Sequence, residues 1–265
     1  MNSRPISEAL RWLMPGIIGL ATALGCGNSA PAPRPNPPTA TTIPSPPTGQ
    51  QVPPIELPQP AQRLGTAVVV LVDTSPSMAQ AVNDHAGRLR PKSELAREAL
   101  QRIMEVTDVW HQQHADAPLY LGLISFAGAC ATTLPVGPFD AAQARAALAN
   151  IRPPRDGTAI GIALEEGFQA LYSTGCIRKH LVCITDGENT VGATPDLVAR
   201  QLYSQTKGDV EIHFVAFDTA ASQFAFLKDV NGSVVQAADG AELQARLIEL
   251  YEQRILVEAM PTERE

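Results

Sequence analysis

Three short segments of this 265-residue chain concentrate oxygen-bearing side chains at close spacing: Asp73-Thr74-Ser75-Pro76-Ser77, Asp156-Gly157-Thr158-Ala159-Ile160-Gly161 and Asp186-Gly187-Glu188-Asn189. Residues two apart in a tight turn after a strand can face one concavity, so Asp73, Ser75 and Ser77 can address one ion from a single loop. Thr158 and Asp186 complete a set of two carboxylates and three hydroxyls. An all-oxygen set suits a hard cation such as Mg2+, with Mn2+ and Ca2+ as the other candidates. The absence of Cys and His from it argues against zinc. Because hydroxyls are neutral, two carboxylates leave the ion electrophilic, able to accept a further carboxylate from outside.

Such a set needs a scaffold that delivers three distant segments to one place, and the patterning provides one. The stretch 67–72 (AVVVLV) is a β-branched run expected of a strand covered on both faces. A helix follows over 91–109, with Leu95, Ala99, Ile103 and Val106 at helical spacing. A second strand at 119–126 is joined within a few residues, through Gly128, to a third at 131–136. So short a connection requires an antiparallel pair. Helices are expected at 140–151, with Asp140 as N-cap, and at 157–172. A strand at 179–185, a helix at 194–206 with Pro195 in its first turn, and a strand at 210–217 come next. A short helix at 220–230, a strand at 233–236 and a closing helix at 241–257 complete the pattern. This alternation predicts an α/β fold: a doubly wound, mostly parallel six-stranded sheet with one antiparallel edge strand and helices on both faces. Ligands in such sheets bind beyond the carboxyl ends of the strands, where the strand order reverses, and all three polar segments fall at that end.

The pattern DxSxS at 73–77, Thr158 in GTAIG and Asp186 in ITDG resembles the metal-ion-dependent adhesion site of von Willebrand factor type A domains. The resemblance covers about residues 65–257. It implies that Ser75, Ser77 and Thr158 bind a divalent cation directly, that Asp73 and Asp186 act mainly through bound water, and that an Asp or Glu of a protein partner completes the coordination. It also implies that the last helix moves with metal ligation in some relatives. Many members have Gly between the two serines where this chain has Pro76, which fixes φ and lacks an N–H.

Residues 1–26 read as an export signal. Arg4 and Arg11 flank a short charged region, and the apolar stretch 12–25 has the length of a signal core rather than the roughly 20 residues of a membrane span. It ends at Cys26 in the context ALGC, which resembles the lipobox of bacterial lipoproteins and implies lipidation of Cys26 and membrane attachment through that lipid. Residues 27–62 read as a disordered linker, since twelve of the chain's 23 prolines lie between Pro31 and Pro60. Extended at about 3.1 Å per residue, thirty such residues reach roughly 90 Å. A domain over 63–258 and a polar tail over 259–265 follow. The expected location is the cell envelope, with the domain in the periplasm or outside the cell.

Composition narrows the function. A net charge of −7 gives no electrostatic footprint for nucleic acid, and 5% aromatic content offers few stacking platforms. The expected function is a cation-dependent protein-binding module, an adhesion or scaffold domain, and not an enzyme. The alternatives are a metal-assisted hydrolase using the same ion, for which no GxSxG elbow or positioned base is visible, and a structural envelope protein with an incidental site. His111 and His114 read as a solvated helix end, Glu165 and Glu166 as a solvated face. Asp156 and Glu188 flank the metal loops. Cys183 reads as a buried apolar residue. A bridge between Cys130 and Cys176 is disfavoured because the topology puts them at opposite ends of the sheet.

Overall fold

The computed structural model describes residues 53–260. Strand β1 (Arg63–Asp73) leads through a 3-10 turn (Pro76–Ala79) into a small hairpin, β2 (Ala81–Asn83) and β3 (Leu89–Pro91). Helix α1 (Lys92–Gln113), β4 (Leu119–Phe126), β5 (Cys130–Pro138), α2 (Ala141–Ala149), α3 (Ile160–Ser173), β6 (Cys176–Thr185), α4 (Pro195–Thr206) and β7 (Glu211–Phe217) follow. A 3-10 segment (Ala221–Asp229) precedes β8 (Gly232–Ala237). Helix α5 (Gly240–Leu250) then runs through a π-helical turn (Tyr251–Leu256) into α6 (Val257–Ala259).

Six strands form one sheet in the order β5-β4-β1-β6-β7-β8. Every pair is parallel except β4–β5, whose register sets Phe126 against Cys130 as the short Gly128 connection requires. Strand order reverses around β1, which lies between β4 and β6, so the carboxyl ends of β1 and β6 flank the crevice. Alternation along β1 sends Val68, Val70 and Val72 to one face and Ala67, Val69 and Leu71 to the other. The first face is covered by α1, α2 and the C-terminal helix through Leu100, Ile103, Leu148, Leu247 and Tyr251. The second is covered by α3 and α4 through Ile160, Leu164, Phe168, Val198 and Leu202. Burying both faces is why the strands read as continuous apolar runs.

Several boundaries differ from the sequence expectation for local reasons. The β2–β3 hairpin was not anticipated, because three-residue strands carry too little pattern. The expected helix at 157–172 begins at Ile160, since Gly157 takes φ +67 and the preceding residues form a loop. Asp140 caps α2 as expected, accepting the Gln143 N–H at 2.8 Å. The end of the proline-rich stretch lies along the domain: Ile55 is buried in the α3/α4 face, and Gln205 Nε2 donates to its carbonyl at 3.2 Å. Among the described residues Cys130, Cys176 and Cys183 are free thiols. Cys26 and the export signal lie outside the described residues, as does most of the tail. No helix among the described residues is long and apolar enough to cross a membrane.

Candidate metal centre

Asp73 is the last residue of β1 and is fully buried. Its Oδ1 accepts the Ser75 N–H at 2.7 Å, which folds the chain back over the strand end, and its Oδ2 accepts the Thr185 hydroxyl at 2.6 Å from neighbouring β6. Pro76 disturbs nothing, because it occupies the first position of the 3-10 turn, where an N–H has no partner to lose. That turn closes with Met78 N–H to Ser75 carbonyl at 3.1 Å and Gln80 N–H to Ser77 carbonyl at 2.9 Å. It presents both serine hydroxyls on one side, 2.9 Å apart. Ser77 Oγ then donates to Asp186 Oδ1 at 2.7 Å, across 109 residues of sequence.

Thr158 joins the rim through its backbone. Its N–H donates to Thr190 Oγ1 at 2.8 Å and its carbonyl accepts the Thr190 N–H at 2.8 Å, four residues beyond Asp186. The same loop is tied to the serine loop by Arg155 N–H to Thr74 carbonyl at 2.8 Å, and to the end of β4 by Ala159 N–H to Ala127 carbonyl at 2.8 Å. Gly161 permits this closure, because a Cβ there would collide with the Ala193 carbonyl oxygen. Asp73, Ser75, Ser77 and Asp186 are thus linked side chain to side chain or through one N–H, and the Thr158 loop is tied by its backbone to the serine loop and to the segment after Asp186.

The oxygen spacings agree with what a small hard cation demands. Octahedral coordination at about 2.0–2.1 Å sets neighbouring ligand oxygens about 2.9 Å apart. The Ser75–Ser77 separation, 2.9 Å, is an edge of that size, and the 2.7 Å hydrogen bond from Ser77 to Asp186 is that of a carboxylate outside the coordination shell orienting a ligand hydroxyl. The electrostatics point the same way. Burial pushes the Asp73 carboxyl up to about 6, against hydrogen bonds from Thr185 and Ser75 and with a smaller push from the Asp186 charge. A buried carboxylate without a cation of its own is a group that a divalent ion would relieve.

Two charged residues of the rim escaped the sequence reading. Lys92, the first residue of α1, is buried with Nζ 2.9 Å from Asp186 Oδ2 and 2.8 Å from Asp218 Oδ2. Burial works against its charge, but the bonds to Asp218 and Asp186 outweigh that and hold its pKa above the usual lysine value. Asp218 follows β7 in a left-handed conformation, φ 52, which Asp tolerates better than most residues. A signal for Asp218 existed: it stands just after a strand, as Asp73 and Asp186 do. Lys92 had none, since a lysine opening a helix normally reads as solvated. His111 and His114, by contrast, pack on Phe139 and Trp110 respectively.

The family model for the von Willebrand factor type A domain matches residues 68–188, which include the serine loop, the Thr158 loop and Asp186. No curated protein matches the chain significantly. Among solved structures, the conserved hypothetical protein BatB from Bacteroides thetaiotaomicron aligns at TM-score 0.54 with 20% identity, covering 71% of this chain and 98% of that one. The D319A mutant of the PilB minor pilin from Streptococcus sanguinis aligns at TM-score 0.56 with 13% identity, over 74% of this chain and 63% of that one. The von Willebrand factor type A structure from Catenulispora acidiphila aligns at TM-score 0.54 with 20% identity, over 71% of this chain and 42% of that one. Matched segment and sheet topology agree: residues 68–188 match the von Willebrand factor type A domain model, and the chain shares the doubly wound α/β fold of these structures.

Proposed function

We propose that this domain is a divalent-cation-dependent protein-binding module of the cell envelope, an adhesion or scaffold unit rather than an enzyme. The observation that carries the reading is the Ser75 and Ser77 hydroxyl pair at octahedral-edge spacing, hydrogen-bonded to Asp186 and set above a buried Asp73. Ser75, Ser77 and Thr158 would hold Mg2+ (or Mn2+ or Ca2+) directly. Asp73 and Asp186 would act through water, and Lys92 would steady Asp186. A bound cation supplies a Lewis-acidic position for a carboxylate from a protein partner. Asp73 fixes the loop through Ser75 N–H and β6 through Thr185, so the hydroxyls are set before any partner arrives. The signal-like residues 1–26, with Cys26 as lipidation site, and the proline-rich segment after them support attachment to a bacterial membrane with the domain held away from it. Likeness to a minor pilin supports an envelope role.

A pull-down from envelope extract tests this reading. The full chain should retain a partner in Mg2+, release it in chelator, and fail to retain it as Asp73→Ala. Retention that is equal in Mg2+ and chelator would reject the mechanism.

A further inference from the structure

At the amino-terminal half of the sheet, away from the rim, β6 and β7 bring a different set of groups together. Register pairs His180 with Glu211 and Val182 with His213, so His180, Glu211 and His213 are neighbours on the face covered by the C-terminal helix. One ring nitrogen of each histidine and a Glu211 oxygen lie within 4.8 Å of one another. Glu258 of α6 arrives from above, its Oε2 3.3 Å from His180 Nε2, and Glu211 Oε2 is 3.5 Å from His213 Nε2.

We propose that His180, His213, Glu211 and Glu258 form a zinc site that clips the C-terminal helix to the sheet. Both histidines are more than nine-tenths buried, yet among the described residues His180 Nδ1 has no hydrogen-bond partner, and the two Nε2 atoms meet Glu258 and Glu211 at 3.3 and 3.5 Å without hydrogen-bond geometry. Histidines that merely fill a core are normally satisfied, because an unpaired buried polar atom costs stability. The fourth nitrogen is engaged: His213 Nδ1 lies 2.9 Å from Ser233 Oγ. That contact is the outer-shell bond that orients a metal-binding imidazole and leaves its Nε2 lone pair facing the ion.

Spacing and charge both suit the ion. Tetrahedral zinc with bonds of about 2.0–2.1 Å sets its ligand atoms ~3.4 Å apart. The His180–Glu258 and His213–Glu211 separations already have that value, so bringing the two pairs together is the adjustment that remains. Burial keeps both rings neutral, at about 4 for His180 and about 3 for His213, the form in which imidazole binds a metal. Two carboxylates balance the double charge, and two imidazoles favour zinc over Mg2+ or Ca2+. A cavity of about 300 Å3 lined by Glu211, His213, Ser233 and the exposed Arg254 opens the site to solvent. Directly before Glu258 the helix widens into the π-helical turn at Tyr251–Leu256, a distortion that recurs at functional sites.

The test uses the untagged full chain, freed of metal and titrated with Zn2+ against a chromophoric chelator. One Zn2+ per chain is expected. Affinity should fall ~100-fold in His213→Gln and ~10-fold in Glu258→Gln, a half-exposed position whose change leaves the core alone, and change less than twofold in Asp73→Asn. The Co2+-loaded chain should show the strong visible absorption of a four-coordinate ion. Zinc affinity unchanged by both His213→Gln and Glu258→Gln, or a weak six-coordinate Co2+ spectrum, overturns the proposal. Because Asp73→Asn affects only the rim, failure here and failure of the rim reading are separable.

Discussion

Asp73→Asn should weaken Mg2+ binding by ~100-fold while making the metal-free protein more stable at pH 7. The two effects have one cause. Asp73 is fully buried, and its carboxyl is pushed up to about 6 chiefly by that burial, above the ordinary value of 3.8. A raised acid pKa means that the folded state holds the proton more tightly than the unfolded chain does. The associated stability is complete below about pH 4 and is lost as pH rises through about 6, a loss of up to ~3 kcal/mol by neutrality. Asparagine removes the charge and keeps an oxygen to accept the Ser75 N–H, while its amide can donate to Thr185 Oγ1. In chelator at pH 7 the variant should therefore gain ~1–2 kcal/mol in urea unfolding. In saturating Mg2+ the order should reverse, because only the wild type gains the binding energy. A variant that loses stability in chelator, or that binds Mg2+ like the wild type, contradicts this account of Asp73.

Lys92→Met should destabilise the metal-free protein by about 3 kcal/mol, since removing one partner of a buried ion pair leaves the other charge uncompensated. Lys92 Nζ is bonded to the fully buried side chain of Asp186 and to the half-exposed Asp218, so most of the cost falls on Asp186. If Asp186 also serves a cation, Mg2+ should restore part of that loss by supplying the missing positive charge. The unfolding deficit of Lys92→Met should accordingly shrink with added Mg2+. An identical deficit with and without the ion would show that Lys92 and the cation do not share Asp186.

Much of the fold and of the candidate centre is legible in the residues themselves. The apolar runs at 67–72 and 119–126 mark strands buried on both faces, and the brevity of the Gly128 connection requires the antiparallel edge that the sheet has. The rule that α/β sheets bind ligands beyond their strand ends leads directly to the Asp73, Thr158 and Asp186 loops. What stays hidden depends on partners far away in sequence. Lys92 shows its role only once α1 is docked against the rim. His180 and His213 sit inside apolar strands, and only the register of β6 and β7 brings them together. Ile55 is a single apolar residue among prolines, and only its contact with α4 reveals that the domain includes that stretch. The π-helical turn has no local signature at all.

We propose that Ser75, Ser77 and Thr158, backed by Asp73 and Asp186, hold one hard divalent ion at the sheet rim. The most direct measurement is an anomalous-difference map from crystals of the protein grown with Mn2+. A single rim peak is expected within about 2.3 Å of Ser75 Oγ, Ser77 Oγ and Thr158 Oγ1, with water between the ion and the two aspartates. A rim without density, or an ion that leaves the Thr158 hydroxyl out of its coordination, would contradict it.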